Sequence, residues 1–234
     1  MAEIVTSTYH GAPLVCAFID NKLEFLEFIR NKELNNIYIG RVENIVKNID
    51  AAFVRFHDDE IGYLPLKSVL PVCVVNRKLG KKDSIRPGDV VVVQVEVEKL
   101  KTKKTRLTTY ISLSGKYTVI TLGRHGVGAS LKLDDKTRKG LIENVKKSFT
   151  ALTKDSEYNL SGTGIGMIIR TNAMDITSDI DKTILNDASE CIDLLTNILN
   201  NALISSLFAT ASVALPSTDT RWLMPFASDD GNLG

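Results

Sequence analysis

The sequence predicts an α+β protein in which a small closed β-barrel is followed by a mixed α/β region. Short apolar or alternating runs, broken by turn residues, fill the first half of the 234-residue chain and are typical of strands. Five of these runs lie between residues 36 and 113, and a small closed barrel requires five strands of this length. After residue 115, short apolar runs alternate with two stretches that have helical spacing.

The first half of the chain is predicted to contain two groups of strands. Three strands precede the barrel, at residues 3–9, 14–19 and 22–29, and five form it, at residues 36–46, 51–56, 61–64, 90–98 and 106–113. Asp20 and Asn21 suit a two-residue hairpin turn. Pro87 and Gly88 suit the turn before the VVVVQVEVE strand, because Pro fixes its own φ and Gly takes a left-handed conformation. Residues 69–85 have no clear period and are predicted to be a loop.

The second half is predicted to combine strands at residues 117–122 and 165–169 with helices at 134–149 and 178–203. In the shorter helix, Leu141, Val145 and Phe149 share one face. Asp134 and Asp135 lie at its N-terminal end, where a negative charge is favourable. The longer helix is amphipathic. Residues 205–234 lose all periodicity, and we expect an irregular tail there.

The composition is that of an ordinary globular protein, with 44% hydrophobic and 24% charged residues, and it excludes a fibrous or wholly disordered chain. No apolar run reaches the roughly eighteen residues that cross a bilayer, and the first ten residues lack the pattern of a signal peptide. Cys16, Cys73 and Cys191 are far apart and form no CxxC pair. We therefore expect reduced, mostly buried thiols in a cytoplasmic protein.

The net charge of +1 hides a strong asymmetry along the chain. Residues 1–76 contain 7 Lys/Arg against 10 Asp/Glu, residues 77–171 contain 20 against 9, and residues 172–234 contain 2 against 9. The middle third is therefore strongly basic, with acidic regions on both sides. Because its basic residues occupy several separate elements, they indicate a polyanion-binding surface, with scattered solvated lysines as the alternative.

Aromatic residues recur at strand positions of the predicted barrel, at Tyr38, Phe53, Phe56 and Tyr63. Lys103, Lys104 and Arg106 lie around the turn into its last strand. Aromatic faces flanked by cations suit unpaired nucleic acid, since bases stack on rings while cations neutralise phosphates. Ordinary barrel core is the alternative for each ring. The three-residue spacing of Phe53 and Phe56 places them on opposite faces, one in the core and one on the surface, and leaves open which is which.

Three segments have the order and spacing of motifs in a known family: NNIYIGRVENIVKNIDAAFVRFHDDEIGYLPL, IRPGDVVVVQVEVE and RLTTYISLSGKYTVI. Together they resemble the amino-terminal half of the bacterial ribonuclease E/G family over roughly residues 1–204. The resemblance implies an S1 domain, which is an OB-fold barrel, inserted into a mixed α/β RNase H-like subdomain. The implied domains are the first RNase H-like part at 1–34, the S1 barrel at 35–114, the 5′-sensor with the remaining RNase H-like part at 115–204, and a divergent tail at 205–234.

The resemblance also implies RNA-binding residues in the barrel. Family members hold single-stranded RNA with two aromatic residues and a lysine, and the matching positions are Phe53, Tyr63 and Lys103. Lys104 and Arg106 are added to this predicted site because they belong to the same basic turn and strand.

A pocket for a 5′-monophosphate end is the second implied site, and its matching positions are Gly115, Val119, Arg170 and Thr171. A guanidinium fork and a hydroxyl suit a terminal phosphate, whereas a surface salt bridge is the alternative for Arg170. Where the family commonly has two basic residues, this sequence has Leu131 and Lys132. Lys132 is therefore the one cation of that pair in the predicted pocket.

Catalysis in the family uses a Mg²⁺ ion held by two aspartates and helped by an asparagine, in a nuclease subdomain beyond the RNase H-like part. The sequence ends before the corresponding residues, and its own acidic pairs are predicted to be a helix start at 134–135, a turn at 58–60 and tail at 229–230. We therefore assign no catalytic residue, no metal ligand and no cofactor within this sequence.

The predicted function is single-stranded RNA binding with 5′-monophosphate end sensing in RNA processing or decay. The alternative is an endoribonuclease subunit that is active only with a separately supplied metal-dependent catalytic half. A third hypothesis is a poorly folding fragment. In that case the helix at 180–203 would expose an apolar face through which the chain self-associates or binds the missing half.

Overall fold

The computed structural model describes residues 2–10, 12–28, 33–57, 60–80, 83–99, 104–154 and 162–211. The strands are β1 Ala2–Tyr9, β2 Ala12–Ile19, β3 Lys22–Phe28, β4 Ile37–Val46, β5 Ala51–His57, β6 Glu60–Pro65, β7 Val90–Val97, β8 Arg106–Thr108, β9 Ser112–Ser114, β10 Thr118–Leu122, β11 Gly126–Ala129 and β12 Ile165–Ile169. The helices are α1 Asp135–Leu152 and α2 Ile180–Ala211. These elements confirm the predicted α+β class. The predicted irregular tail is wrong for residues 205–211, which continue α2, where Ser206 is buried and its hydroxyl donates to Val75 O at 3.0 Å. Residues 212–234 of that predicted tail lie outside the described residues.

Met1–Glu33 is a compact unit of its own, whose strands form an antiparallel sheet in the order β1-β2-β3. Asp20 and Asn21 join β2 to β3 with φ values of 49° and 63°. A positive φ at both central positions is typical of the two-residue turn that matches the twist of a hairpin. The predicted strands and hairpin turn are therefore confirmed.

The five strands β4 to β8 close a barrel in the order β4-β5-β6-β8-β7, as predicted. Alternate residues face its interior, which contains Val42, Val54, Phe56, Leu64, Val91, Val93, Val95 and Leu107. Gly88 has a φ of +89° in the predicted turn before β7. The described part of residues 69–85, predicted to be a loop, contains a short 3-10 turn at Pro71–Cys73 and an isolated bridge from Val74 to Val91.

The predicted strand at residues 106–113 is wrong, because β8 belongs to the barrel and β9 to a second sheet. Thr109, which is fully buried, lies at the break. Its hydroxyl donates to the Ser68 carbonyl at 2.7 Å and accepts from the Leu70 amide at 2.7 Å. These bonds take the place of β-ladder hydrogen bonds at Thr109, and the chain changes direction there. The period-two pattern of the sequence is the same in either sheet, so it did not reveal the change from one sheet to the other.

The second sheet has the order β11-β12-β10-β9, with β11 and β12 parallel and the other pairs antiparallel. The sequence did not predict β11, because its residues GVGA lack the large apolar side chains of a buried strand. Helix α1 begins as predicted, since the Asp134 side chain accepts from the Thr137 amide at 3.0 Å.

Strand β7 joins the barrel to the second sheet and the helices. Val91, Val93 and Val95 lie in the barrel core, while Val92 packs in the core formed by the sheet and helices. Gln94 also faces outward from the barrel, and its amide nitrogen donates to Ser112 O at 2.9 Å. Burial on both faces explains the continuous apolar run in this strand.

The apolar face of α2 is covered within the chain, which corrects the expectation that it would be exposed. Ile184, Ala188, Ile192, Leu195 and Leu199 are buried against the second sheet and α1. The large apolar side chains of α2 that are exposed, among those the structure describes, are Ile180, Leu203 and Ile204. Self-association and association with a second polypeptide through this helix stay predictions.

All three cysteines are free, as predicted. Cys73 and Cys191 are buried, and Cys16 is half-buried. Burial raises the pKa of the Cys73 thiol to about 12. Burial, with the nearby negative charges of Asp187 and Glu190, raises the pKa of Cys191 to about 11, so both thiols are protonated and unreactive at neutral pH. No helix in the described ranges is long and apolar enough to cross a membrane.

Candidate nucleic-acid interface

The outer face of the barrel presents two aromatic rings on neighbouring strands. Phe53 on β5 and Tyr63 on β6 lie directly opposite each other, with ring centroids 6.4 Å apart and ring planes at 67°. Both side chains are half-buried, while the adjacent Val54 and Leu64 are fully buried in the barrel. Phe56 is 8% exposed and belongs to the core. The structure therefore selects Phe53 as the surface ring of the pair whose roles the sequence left open.

Cations flank these rings. The Lys104 ammonium lies 5.8 Å from the centroid of Phe53, within the range of a cation–π contact. Arg106 is the β-ladder partner of Tyr63, and its Nε lies 2.7 Å from Glu96 Oε2. Both members of that ion pair are exposed, so the pair adds little stability. Lys103, the predicted RNA-binding lysine, lies outside the described residues.

Arg170 follows the end of β12 and contacts the turn between β9 and β10. Its Nη1 donates to Gly115 O at 2.6 Å, and its backbone amide donates to Tyr117 O at 2.8 Å. The side-chain amide of Asn172 donates to Lys116 O in the same turn. Arg170 has no carboxylate partner among the residues described. Most of its guanidinium N–H groups are not used by the turn.

Asp187 on α2 holds the other side of this turn and was missed by sequence reasoning. Its Oδ1 accepts from the Lys116 amide at 2.8 Å, and its Oδ2 accepts from the amides of Tyr117 at 3.1 Å and Thr118 at 2.8 Å. The Thr118 hydroxyl donates to Oδ2 at 2.6 Å. Successive amides that converge on one carboxylate form an anion-binding nest.

The signal for Asp187 was present in the sequence. It lies three residues after Ile184 and one before Ala188, so it falls within the buried stripe of an amphipathic helix. A carboxylate in such a stripe needs hydrogen-bond donors. Gly115 is the complementary signal, because a Cβ at that position would meet the Asp187 carboxylate, with Oδ1 at 2.7 Å.

The strands β10, β11 and β12 carry or precede the remaining predicted pocket residues. Ala129 at the end of β11 pairs with Ile169 at the end of parallel β12. The segments that carry Lys132 and Arg170 therefore leave neighbouring strands at the same end of the sheet. Thr171 is exposed and begins a 3-10 turn, Thr171–Asp175. Val119 is half-buried and pairs with Ile168, and Leu131 is 87% exposed. The structure thus places Gly115, Arg170 and Thr171 around one turn, and their roles stay predictions.

The described residues do not fit a metal ion, since no group of three or more His, Cys, Asp or Glu side chains occurs among them. Asp134 is engaged as a helix cap, and its hydrogen bonds with the amides and side chain of that turn lower its pKa. The Mg²⁺ chemistry implied by the resemblance therefore has no assigned ligand in this part of the chain.

The fold and this surface define an α+β protein built on an OB-like five-stranded barrel. No protein-family model matches the chain. The chain is 29% identical to ribonuclease E of Synechocystis sp. over 76% of its own length and 25% of that protein. It is 30% identical to ribonuclease E of Nostoc sp. over 73% of its length and 23% of that protein, and 31% identical to ribonuclease E of Escherichia coli over 58% and 12%.

The chain is therefore a relative of the ribonuclease E/G family, which confirms the resemblance predicted from its motifs. The chain spans a quarter or less of the length of these three relatives.

Proposed function

We propose that the chain binds single-stranded RNA on the outer face of its barrel and recognises a 5′-monophosphate end at the Arg170 turn, in RNA processing or decay. The arrangement of Phe53 and Tyr63 supports this proposal most directly. Two rings on adjacent strands remain half-exposed although the barrel core is complete without them. Lys104 places a cation beside Phe53, which suits a base stacked next to its own phosphate.

The proposed recognition of the RNA end depends on charge. A terminal monophosphate carries about −1.5 to −2 charges at neutral pH, whereas a 5′-hydroxyl carries none. Nη1 of the Arg170 guanidinium donates to the Gly115 carbonyl, so its Nη2 and Nε donors would be the ones to reach a phosphate. The Thr171 hydroxyl and the Lys132 ammonium would complete the contact. In this proposal residues 35–114 act as an S1-type barrel and residues 115–204 as the end sensor of an RNase H-like subdomain.

A titration with short fluorescent single-stranded RNA tests the proposal. Phe53→Ala should weaken binding by about 1–3 kcal/mol, the usual contribution of one stacked base, with little change in thermal stability. Phe25→Ala is the matched control, because Phe25 on β3 is an exposed ring in the separate N-terminal unit. Equal affinity of Phe53→Ala and the unmodified chain, or an equal loss in Phe25→Ala, would contradict the proposed stacking role.

The same titration tests the hypothesis of an enzyme that needs a separate catalytic half. Since the described residues provide no carboxylate cluster for Mg²⁺, we expect the RNA to stay intact when Mg²⁺ is added to the chain alone. Metal-dependent cleavage under these conditions would contradict the proposal and would locate a nuclease site within this sequence.

A further inference from the structure

A polar groove of about 460 Å³ lies where the barrel meets the second sheet, at the junction made by β7. We call it the junction groove. Three basic side chains line it, Lys67, Arg106 and Arg124, together with one carboxylate, Glu96. Its size falls within the ~300–1,000 Å³ of typical ligand sites.

The floor of the junction groove contains polar side chains that are hydrogen-bonded to one another and to the backbone. Gln94, which is 4% exposed, donates to Asn35 O and Ser112 O at 2.9 Å each and accepts from the Ser112 amide at 2.8 Å. The hydroxyls of Ser112 and Thr121 lie 2.9 Å apart. These bonds join the barrel to the sheet, so the groove exists before any ligand binds.

The charges of the junction groove favour an anion. Lys67 and Arg124 are exposed and have no carboxylate partner among the residues described, whereas Arg106 is paired with Glu96 at 2.7 Å. The Arg124 guanidinium carbon lies 5.1 Å from the centroid of Tyr110, which holds the guanidinium over an aromatic face. A guanidinium on a ring provides both a phosphate contact and a plane on which a base can stack.

The junction groove is continuous with the aromatic face through Arg106. This residue lines the groove and is also the ladder partner of Tyr63. An RNA strand that leaves the Phe53–Tyr63 pair along β8 would therefore meet Lys67 and Arg124 next. Cations placed along one path from a stacking surface suit a phosphodiester backbone better than an isolated anion.

We propose that the junction groove is a second RNA contact, in which Lys67 and Arg124 bind the phosphates of the nucleotides that follow those stacked on Phe53 and Tyr63. This inference rests on the proposed RNA-binding function and extends its path. It assigns Glu96 as a residue that limits affinity, because its carboxylate repels the incoming phosphates and neutralises Arg106.

Two lengths of 5′-hydroxyl RNA, about four and about twelve nucleotides, test the groove without involving the end sensor, since barrel sites of this type span about 4–16 nucleotides. Lys67→Gln and Arg124→Gln should each weaken binding of the longer RNA about three- to tenfold. Each should also lower the magnitude of the salt slope by about 0.7 per lost phosphate contact. Binding of the shorter RNA should not change.

Glu96→Gln should strengthen binding of the longer RNA. Lys182→Gln, on the exposed side of α2, removes one positive charge outside the groove and is the matched control, so it should not change RNA binding. If Phe53→Ala weakens binding while the Lys67 and Arg124 variants behave like Lys182→Gln, the groove proposal is wrong and the RNA-binding function stands. If Phe53→Ala has no effect either, the proposed function itself fails. Equal losses of affinity for both RNA lengths would mean that Lys67 and Arg124 belong to the aromatic site, and the proposal of a separate contact would be wrong.

Discussion

The aromatic face of the barrel and the Arg170 turn differ in how far their side chains are already engaged. At the aromatic face, Phe53 and Tyr63 contact each other at their ring edges and receive one cation from Lys104. At the turn, Arg170 donates to a backbone carbonyl, and the amides of residues 116–118 all donate to Asp187. The first surface offers exposed ring area for stacking, whereas at the second surface Asp187 and the backbone of the turn are joined by hydrogen bonds.

This difference indicates two ways of preparing a binding site. Stacking needs only an exposed ring, so the barrel can present it on any strand whose inner face is buried. A phosphate contact needs donors at defined positions, and these must be held by other bonds before the ligand arrives. The turn is therefore expected to be sensitive to changes far from the ligand, whereas the aromatic face responds mainly to loss of its own rings.

The largest effect is expected from Asp187→Ala, which removes the acceptor of three backbone amides and a hydroxyl. We expect a loss of about 2–4 kcal/mol in the free energy of unfolding, because donors left without an acceptor cost more than the bonds themselves contribute. Urea unfolding measures it. Asp193→Ala, on the exposed face of the same helix, is the control and should change stability by no more than about 0.5 kcal/mol. Equal losses in the two variants would remove the special role of Asp187.

Gly115→Ala is expected to cost about 1–3 kcal/mol of stability, since the new methyl group would overlap the Asp187 carboxylate. In the Asp187→Ala background the same change should be much less harmful, because the space is then free. A double-mutant cycle by urea unfolding measures this coupling. Additive losses would show that Gly115 is required for another reason.

Asp89 in the barrel is a buried carboxylate that also holds a turn, but it has an arginine partner. Burial would raise its pKa, yet the bidentate contact from Arg77 at 2.7 and 2.8 Å and the Arg86 amide outweigh burial and lower it. A lowered pKa in the folded state stabilises the protein above the pKa of the unfolded chain, and this contribution is lost as the pH falls through the folded-state value.

Asp89→Asn should therefore destabilise the protein at neutral pH, by less than Asp187→Ala because the amide oxygen still accepts from Arg77. The difference in the free energy of unfolding between Asp89→Asn and the unmodified chain should become smaller as the pH falls. Urea unfolding at several pH values below neutrality measures it, and a difference that is constant with pH would contradict the role of the Asp89 charge.

Arg170→Ala is expected to abolish the preference for 5′-monophosphate over 5′-hydroxyl RNA, a change of about tenfold or ~1.4 kcal/mol. Arg170→Lys should restore only part of it, because an ammonium lacks the planar fork. Paired titrations with the two RNA ends measure the ratio, and affinity for 5′-hydroxyl RNA serves as the internal control. A preference that survives in Arg170→Ala would remove this residue from the end sensor.

The smallest effect is expected from Lys104→Gln at the aromatic face. Loss of one exposed cation over Phe53 should weaken RNA binding by about 0.5–1 kcal/mol and leave the stability of the barrel unchanged. The contact between Lys104 and the Phe53 ring is tested by measuring the RNA affinity of the double variant Phe53→Ala with Lys104→Gln. If the two losses add without coupling, Lys104 binds RNA independently of the ring.

Local patterns in the sequence were sufficient to predict the three N-terminal strands, the barrel, the Asp20–Asn21 turn and the start of α1. The single strands, the turn and the cap depend on residues close together in the chain: alternation within one strand, φ preferences within one turn, or a cap within one helical turn. The barrel was predicted from the number and length of its strands. The family relationship could also be predicted, since motif order is a property of the sequence itself.

Only the tertiary structure decided which of Phe53 and Phe56 faces outward, where the 106–113 segment changes sheets, and what holds the Gly115 turn. Period two separates the two faces of a strand without saying which one is covered, because that depends on closure of the barrel. Thr109 redirects the chain through bonds to residues 68 and 70, and Asp187 meets amides about seventy positions earlier in the sequence. The pattern of α2 marks Asp187 as a carboxylate in a buried stripe, but which donors it meets is set by packing between elements that are distant in the sequence.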